Sequence, residues 1–219
     1  KGLDKKGRIG FKRALAEGDV TQAQMKKGIF INLLISSFIG LYLIYHGGVI
    51  ILLIGLLSVF FAWLYTATSK SLSYLGIADI FCFVFFGPVA TIGTTYLQTM
   101  EFSSISMFWG FICGALATCV LIVNNIRDIE NDKLENKKTF VVRFGKRAGE
   151  LEYLFFISLT LVFSLVANGF AFSNLIFIFG LILFLELLKT NGLKYNRMLI
   201  KTGFLNVIFV ILILVDFIL

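Results

Sequence analysis

The sequence has 219 residues, of which 58% are apolar and 16% aromatic, and only 15% are charged. A soluble domain carries roughly 25% charged residues, and it cannot bury this much apolar surface. The composition therefore excludes a soluble globular domain, a disordered chain and a collagen-like chain. We predict an all-α, polytopic transmembrane helical bundle in the lipid bilayer. The net charge of +7 is assigned to membrane topology, and no nucleic-acid partner is expected.

Seven apolar segments are predicted to form membrane-spanning helices, because continuous apolar runs of this length favour helices over barrel strands in lipid. They lie at 28–45, 48–66, 77–98, 105–123, 151–171, 174–188 and 199–217. The sixth is short and is expected to pair with the fifth as a hairpin. Pro88, the single proline, follows Gly87 inside the third segment and predicts a kink there.

The connecting segments alternate in charge along the chain. Segments 1–27, 67–76, 124–150 and 189–198 are polar and basic, whereas 46–47, 99–104 and 172–173 contain no Lys or Arg. All 20 Lys and Arg residues lie in the basic segments or at the adjoining helix ends. Because basic loops remain on the cytoplasmic side, this pattern predicts that side for the four basic segments.

Residues 124–133, here called the aspartate segment, read NNIRDIENDK. If the preceding helix continues, Asn124, Asp128 and Asp132 follow at intervals of four residues and stack on one face. Carboxylate and amide oxygens in this arrangement suit Mg²⁺, which shares phosphate oxygens with substrates. Five nearby cations supply positive charge for a diphosphate: Arg127, Lys133, Lys137, Lys138 and Arg143. The alternative interpretation is a solvated helix end with mixed charges.

Two further observations favour a functional site at this end. Asn124 and Asn125 form an amide pair at the end of an apolar helix, where amides are costly unless they have partners. Tyr65, Lys70 and Asp79 flank the basic segment after the second span. Asp79 begins an apolar helix, so stabilisation by the helix dipole is the structural alternative for it.

The pattern NNxRDxxxD from residue 124, with KKT from residue 137 and VRFG from residue 142, resembles the second aspartate-rich motif of the UbiA superfamily. These proteins are intramembrane aromatic prenyltransferases. Stretches within 8–25, 65–79 and 85–98 are similar to the branch that prenylates 1,4-dihydroxy-2-naphthoate. The resemblance covers essentially the whole chain as one domain, 1–219.

The resemblance implies a nine-helix fold around a central cavity, of which this chain would supply the third to ninth helices. The chain would then lack the two N-terminal helices and most of a first aspartate-rich motif. Only the sequence KGLD at residues 1–4 matches the end of that motif, and Asp4 corresponds to its last aspartate.

The implied activity is the Mg²⁺-dependent transfer of a polyprenyl chain from polyprenyl diphosphate to 1,4-dihydroxy-2-naphthoate, with loss of CO₂, in menaquinone synthesis. The implied location is a bacterial plasma or inner membrane. Asn124, Asp128 and Asp132 would bind the metal, with Asp79 as a further catalytic residue. The implied substrate-binding residues are Asp4, Tyr65, Lys70, Asn124, Asn125, Arg127 and Lys133.

Three alternatives compete with this interpretation. A related prenyltransferase could use another aromatic acceptor, such as 4-hydroxybenzoate, homogentisate or haem. A CDP-alcohol phosphotransferase also uses membrane aspartates, but its Asp-Gly-x-x-Ala-Arg pattern is absent from this sequence. A transporter fragment would place charges along a crossing pathway, whereas the acidic residues here cluster at one side.

Overall fold

The computed structural model describes residues 14–66 and 72–219, which form helices and turns with no β-strand among them. Asp4 and Lys70, two of the predicted site residues, lie outside the described residues. The α-helices are α1 (Ala14–Glu17), α2 (Gln22–Thr66), α3 (Leu72–Leu75), α4 (Ala78–Val84), α5 (Ala90–Thr99), α6 (Ser104–Arg127), α7 (Ile129–Leu134), α8 (Phe140–Phe144), α9 (Lys146–Asn168), α10 (Leu175–Leu187) and α11 (Lys194–Ile218). A π-helical turn (Phe85–Val89) separates α4 from α5, and a 3₁₀ turn (Phe172–Asn174) precedes α10.

Helix α2 joins the first two predicted spans. It has 45 residues, with a backbone break at Gly48, where φ is 66° and ψ is −153°. A continuous helix of this length would measure roughly 67 Å, more than twice the ~30 Å thickness of the bilayer core. The helix is therefore long enough for two crossings, and its break lies directly after the predicted turn at 46–47.

Five helical segments are long and apolar enough to cross a membrane: Gln22–Tyr65, Ala78–Thr99, Ser104–Arg127, Lys146–Asn168 and Lys194–Ile218. A shorter apolar segment, Phe172–Leu187, corresponds to the sixth predicted span. When α2 is counted as two crossings, these segments account for the seven predicted spans. The prediction of an all-α, multi-pass membrane protein is confirmed.

The third span is kinked at Pro88, as predicted. Gly87, within the π-helical turn, departs from helical geometry with φ −111° and ψ −112°. A Cβ atom on Gly87 would lie 2.6 Å from the carbonyl oxygen of Gly110 and 2.9 Å from the Cα of Gly114. Glycine at these positions therefore allows the backbones of the kinked span and α6 to touch.

Helix α6 lies at the centre of the bundle. It packs against α4, the π-helical turn, α9 and α11, while α10 packs against α9 and α11. The fully buried core includes Ile112, Leu116, Ile122, Ile157 and Leu205. Many Leu, Ile and Phe side chains on the outer faces are exposed, as expected for a surface that contacts lipid.

Contacts between loops bring three basic segments together at one end of the bundle, here called the basic end. The amide of Lys138 donates to the carbonyl of Tyr74 at 3.0 Å, and the side chain of Arg127 donates to that of Asn196 at 3.2 Å. These contacts join the segments that follow the second, fourth and sixth predicted spans. Their common placement agrees with the charge alternation of the sequence.

The glycine contact generates a stability prediction. In Gly114→Ala, the added methyl group would collide with the carbonyl oxygen of Phe83 and lie 3.1 Å from the Cα of Gly87. We expect a loss of about 1–3 kcal/mol in unfolding free energy, the usual cost of overpacking. Thermal unfolding in detergent measures this loss. Gly203→Ala is the matched control, because a Cβ there meets no heavy atom within 4 Å; equal stability of the two variants would contradict the prediction.

Candidate functional site

The aspartate segment keeps a four-residue hydrogen-bond spacing across the junction of α6 and α7, where Asp128 itself departs from helical geometry with φ −96° and ψ 9°. Helix α6 ends at Arg127, and α7 begins at Ile129. The amide of Asp128 donates to the carbonyl of Asn124 at 3.0 Å, and the amide of Asp132 donates to that of Asp128 at 2.8 Å. The four-residue spacing therefore stacks Asn124, Asp128 and Asp132 in successive turns, as the sequence predicts.

Arg127 is the centre of a hydrogen-bond network, here called the Arg127 network. Its Nε and Nη2 atoms donate to the two carboxylate oxygens of Asp128, both at 2.8 Å. Nη2 also donates to Oδ1 of Asn124 at 2.7 Å, and Nη1 donates to Oδ1 of Asn196 in α11 at 3.2 Å. The Arg127 and Asp128 side chains are only 4% and 8% exposed, so their pair is a buried, bidentate one.

Asp132 pairs with a different cation. Nζ of Lys137 lies 2.8 Å from Oδ1 of Asp132 and 3.0 Å from Oε2 of Glu135. Burial raises the pKa of Asp132 above its usual value, although the hydrogen bond and charge of Lys137 lower it; the charges of Asp128 and Glu135 raise it further. The carboxylate charge of Asp132 is therefore only partly compensated by Lys137.

Asp79 and Asn125 form a buried contact between α4 and α6. Nδ2 of Asn125 donates to Oδ1 of Asp79 at 3.2 Å, and the two residues are only 6% and 4% exposed. Tyr65 lies near both Asp79 and Lys137. The structure thus brings Tyr65, Asp79 and Asn125 to the same end of the bundle as the aspartate segment.

Lys133 points to another acidic group. It donates to Oε1 of Glu130 at 2.9 Å, and the two side chains are 49% and 78% exposed. This is a weak surface ion pair. Lys133 therefore remains accessible to solvent beside the aspartate segment.

A staple of hydrogen bonds holds the segment before α4 against the segment before α8. Arg143 donates through Nη2 to the carbonyl of Leu75 at 2.6 Å and through Nε to the carbonyl of Lys138 at 3.0 Å. Gly76 has φ +75°, and a Cβ there would collide with the same Lys138 carbonyl. Arg143, predicted to supply charge for a diphosphate, joins two loops through their carbonyl oxygens.

An apolar cavity of 610 Å³, here called the first cavity, lies between α2, α4 and α6. Its wall is rich in aromatic rings, among them Phe61, Phe81 and Phe85. These three rings pack against one another, with centroids 5.1–6.3 Å apart. Ser58 and Tyr65 also line the wall, and Tyr65 lies near Asp79, so the cavity combines an aromatic surface with polar side chains.

A second cavity of 720 Å³ lies between the kinked third span, α6 and α11. Asn124 and Arg127 are part of its wall, so it reaches the Arg127 network. The two cavities share Cys82, Phe86 and Leu121 as lining residues. Largely apolar space therefore adjoins Asn124 and Arg127 of the aspartate segment.

The aspartate segment offers the donor atoms that Mg²⁺ prefers. Asn124, Asp128 and Asp132 carry amide and carboxylate oxygens, and Mg²⁺ sites often use one or two carboxylates together with substrate phosphates. Among residues 14–66 and 72–219, no group of three or more His, Cys, Asp or Glu side chains converges as a metal site. The donor chemistry of these three side chains suits Mg²⁺, but the described residues do not form a complete metal site by themselves.

The sequence reasoning missed two residues at this end. Asn196, in the first turn of α11, contacts Arg127, and Glu152, in α9, lies near Asp79. Neither residue belongs to a recognisable motif. The one available signal was that segment 189–198, which contains Asn196, lies on the same side as the aspartate segment.

The fold and the site define a multi-pass α-helical membrane protein with charged residues gathered beside apolar cavities. The UbiA prenyltransferase family pattern matches residues 3–209. Since this match covers most of the chain, the chain belongs to the UbiA prenyltransferase family, as the motif resemblance predicted. Family membership favours a transferase over the transporter alternative.

Several curated relatives have names that specify an acceptor. The chain is 37% identical over 152 residues to the 1,4-dihydroxy-2-naphthoate octaprenyltransferase of Escherichia coli K12, covering 67% of this chain and 49% of that protein. It is 32% identical over 196 residues to the protein of the same name from Haemophilus influenzae, covering 83% and 62%. It is 32% identical over 146 residues to that of Mycobacterium tuberculosis, covering 67% and 50%.

The chain spans about half to three fifths of the length of these relatives. No solved structure matched the chain.

The hydrogen bonds of Arg143 to the Leu75 and Lys138 carbonyls should protect the two loops that they join from proteolysis. In Arg143→Gln, the hydrogen bonds to Leu75 and Lys138 are lost, and each bond from a charged group is worth about 1.5–3 kcal/mol. We expect faster proteolysis within segments 72–76 and 135–143, measured by limited digestion and mass spectrometry. Lys138→Gln is the control, because its exposed side chain leaves the backbone contacts in place. Equal digestion rates for the two variants would contradict the claim that Arg143 holds the two loops together.

Proposed function

We propose that the protein transfers a polyprenyl chain from polyprenyl diphosphate to 1,4-dihydroxy-2-naphthoate, with loss of CO₂, and so forms the demethylmenaquinone skeleton. Family membership and the names of the relatives support this assignment. The observation that carries it is the buried Arg127–Asp128 pair next to a largely apolar cavity, because Arg127 and Asn124 are part of the wall of the second cavity. A donor with a charged head and a long apolar chain needs both environments.

The diphosphate would bind at the basic end, beside the aspartate segment. Lys133 is half exposed there and is available to the diphosphate. Tyr65, Lys70 and Asn125 are assigned to substrate binding with it, and Asp4 would extend the site from the first segment. Arg127 would act beside the diphosphate while holding Asp128 and Asn124.

Mg²⁺ is the proposed cofactor, held by Asp128 and Asp132 with Asn124 and by oxygens of the diphosphate. When bound, it would offset the negative charge that grows on the leaving diphosphate. Fixed donors and cations of the protein would stabilise the same charge without reorganising during the reaction.

The cavities would protect the reacting carbon from water. Cleavage of the C–O bond leaves the electron pair on the diphosphate and a positive charge on the allylic carbon, which water would quench. The aromatic wall of the first cavity would stabilise that charge. A ring carbon of the acceptor forms the new bond, and the electron pair of its C–COO⁻ bond returns to the ring as CO₂ leaves. Asp79, beside Tyr65, would act on the acceptor side.

We infer that the basic end faces the cytoplasm and that the protein lies in a bacterial plasma or inner membrane. The concentration of Lys and Arg on the segments of that end supports this orientation. The polyprenyl chain can then remain in the bilayer while the charged head binds at the membrane surface.

Asp132→Asn tests the function better than a change of Asp128. It removes one carboxylate, while Lys137 keeps Glu135 as an ion-pair partner, whereas Asp128→Asn would leave a buried arginine without its charge partner. We expect prenyl transfer by Asp132→Asn to fall at least about 100-fold, the scale for losing electrostatic stabilisation of a transition state. The assay uses the full-length protein in lipid with Mg²⁺, polyprenyl diphosphate and dihydroxynaphthoate.

Glu101→Gln is the control for loss of an acidic side chain, because Glu101 is exposed in the turn between α5 and α6, away from the basic end. EDTA should stop transfer by the wild-type protein, and added Mg²⁺ should restore it. Product from 4-hydroxybenzoate alone would replace the proposed acceptor. Near-normal transfer by Asp132→Asn would remove its proposed role.

A further inference from the structure

The guanidinium group of Arg127 is almost fully engaged inside the protein. Four of its five N–H donors bind Asp128, Asn124 and Asn196. The Nε and Nη2 atoms face Asp128, and the opposite Nη1 atom faces Asn196. Because the group is planar and rigid, a bond at Nη1 restricts the angle at which the other edge meets the carboxylate.

Asn196 connects this network to a helix that is remote in sequence. It lies 69 residues after Arg127 along the chain. On α11, Leu199 and Ile200 follow one turn after Asn196, and both line the second cavity together with Asn124 and Arg127. The bond between Arg127 and Asn196 therefore joins the apolar wall on α11 to the polar wall on α6.

We propose that Asn196 is a positioning residue: through Nη1 of Arg127 it fixes the orientation of the Asp128 carboxylate and the place of α11 beside the second cavity. This proposal rests on the proposed function, because it assigns Asp128 to the binding of the diphosphate head. Asn196 itself touches no reacting atom in this account.

The geometry distinguishes this role from general packing. Leucine at position 196 has the same branched shape, although it is larger, and it offers no acceptor to Nη1. Aspartate keeps an acceptor oxygen at nearly the same place. A purely structural role would make binding follow the stability of each variant, whereas a positioning role makes binding follow the presence of the acceptor.

The test measures binding of farnesyl thiolodiphosphate, a poorly cleaved donor analogue, to the full-length protein in lipid nanodiscs with Mg²⁺, by titration calorimetry. Asn196→Leu should weaken binding about tenfold, the size of one hydrogen bond to a charged group. Asn196→Asp should stay within about threefold of the wild type, because the charge-assisted bond is retained. Asn191→Leu, in the exposed turn before α11, should leave binding unchanged.

A double-mutant cycle isolates the bond itself. Arg127→Lys keeps a positive charge beside Asp128 but has no planar fork to bind Asn196. In that background Asn196→Leu should change binding less than about twofold, because the two residues act through one contact. A tenfold effect in both backgrounds would overturn the proposal. If Arg127→Lys fails to accumulate in membranes, equal weakening by Asn196→Leu and Asn196→Asp would overturn it instead.

Measurements on the wild-type protein distinguish a failure of this proposal from a failure of the function on which it rests. Analogue binding without transfer to dihydroxynaphthoate would refute the proposed acceptor and leave the role of Asn196 testable. Absence of analogue binding by the wild type would refute the diphosphate site and the positioning role together.

Discussion

The Arg127–Asp128 pair constrains the whole basic end, because both charges are buried where the end of α6 meets the rest of the bundle. An isolated charge in such surroundings is costly, and a buried pair is tolerated only when its remaining donors and acceptors have partners. Asn124 and Asn196 supply two of those partners. The last turn of α6 and the first turn of α11 must therefore meet at one place, and the second cavity lies beside that junction.

A second set of contacts connects the same region to the third span. Asn125 faces Asp79, while Lys137 bonds to Asp132 and lies 5.9 Å from the ring centre of Tyr74. Adjacent residues of the aspartate segment thus contact different helices, with Asn125 directed to α4 and Arg127 to α11. This divergence explains how one short segment can organise both cavity walls. It also places Asn124 and Arg127 in the wall of the second cavity, most of whose other lining residues are apolar.

Much of the fold could be predicted from patterns in the sequence. Span length, the position of Pro88 and the charge alternation predict the bundle and its two ends, and the four-residue spacing predicts the stacking of Asn124, Asp128 and Asp132. The hydrogen-bond partners of individual side chains could not be predicted in the same way. Arg127 lies within the aspartate-rich pattern and Arg143 lies just after it, yet one binds a carboxylate and the other binds carbonyl oxygens. Asn196 contacts the site only because tertiary packing brings α11 to α6, and no local pattern encodes that contact.

The most direct test of this account is a double-mutant cycle on unfolding free energy at Arg127 and Asp128, measured on the full-length protein in detergent. Arg127→Gln and Asp128→Asn alone should each cost about 3–5 kcal/mol, because each strands a buried charge. The combined variant removes both charges and should be more stable than either single variant. Additive losses, with the combined variant the least stable of the three, would contradict the claim that the buried pair organises the basic end.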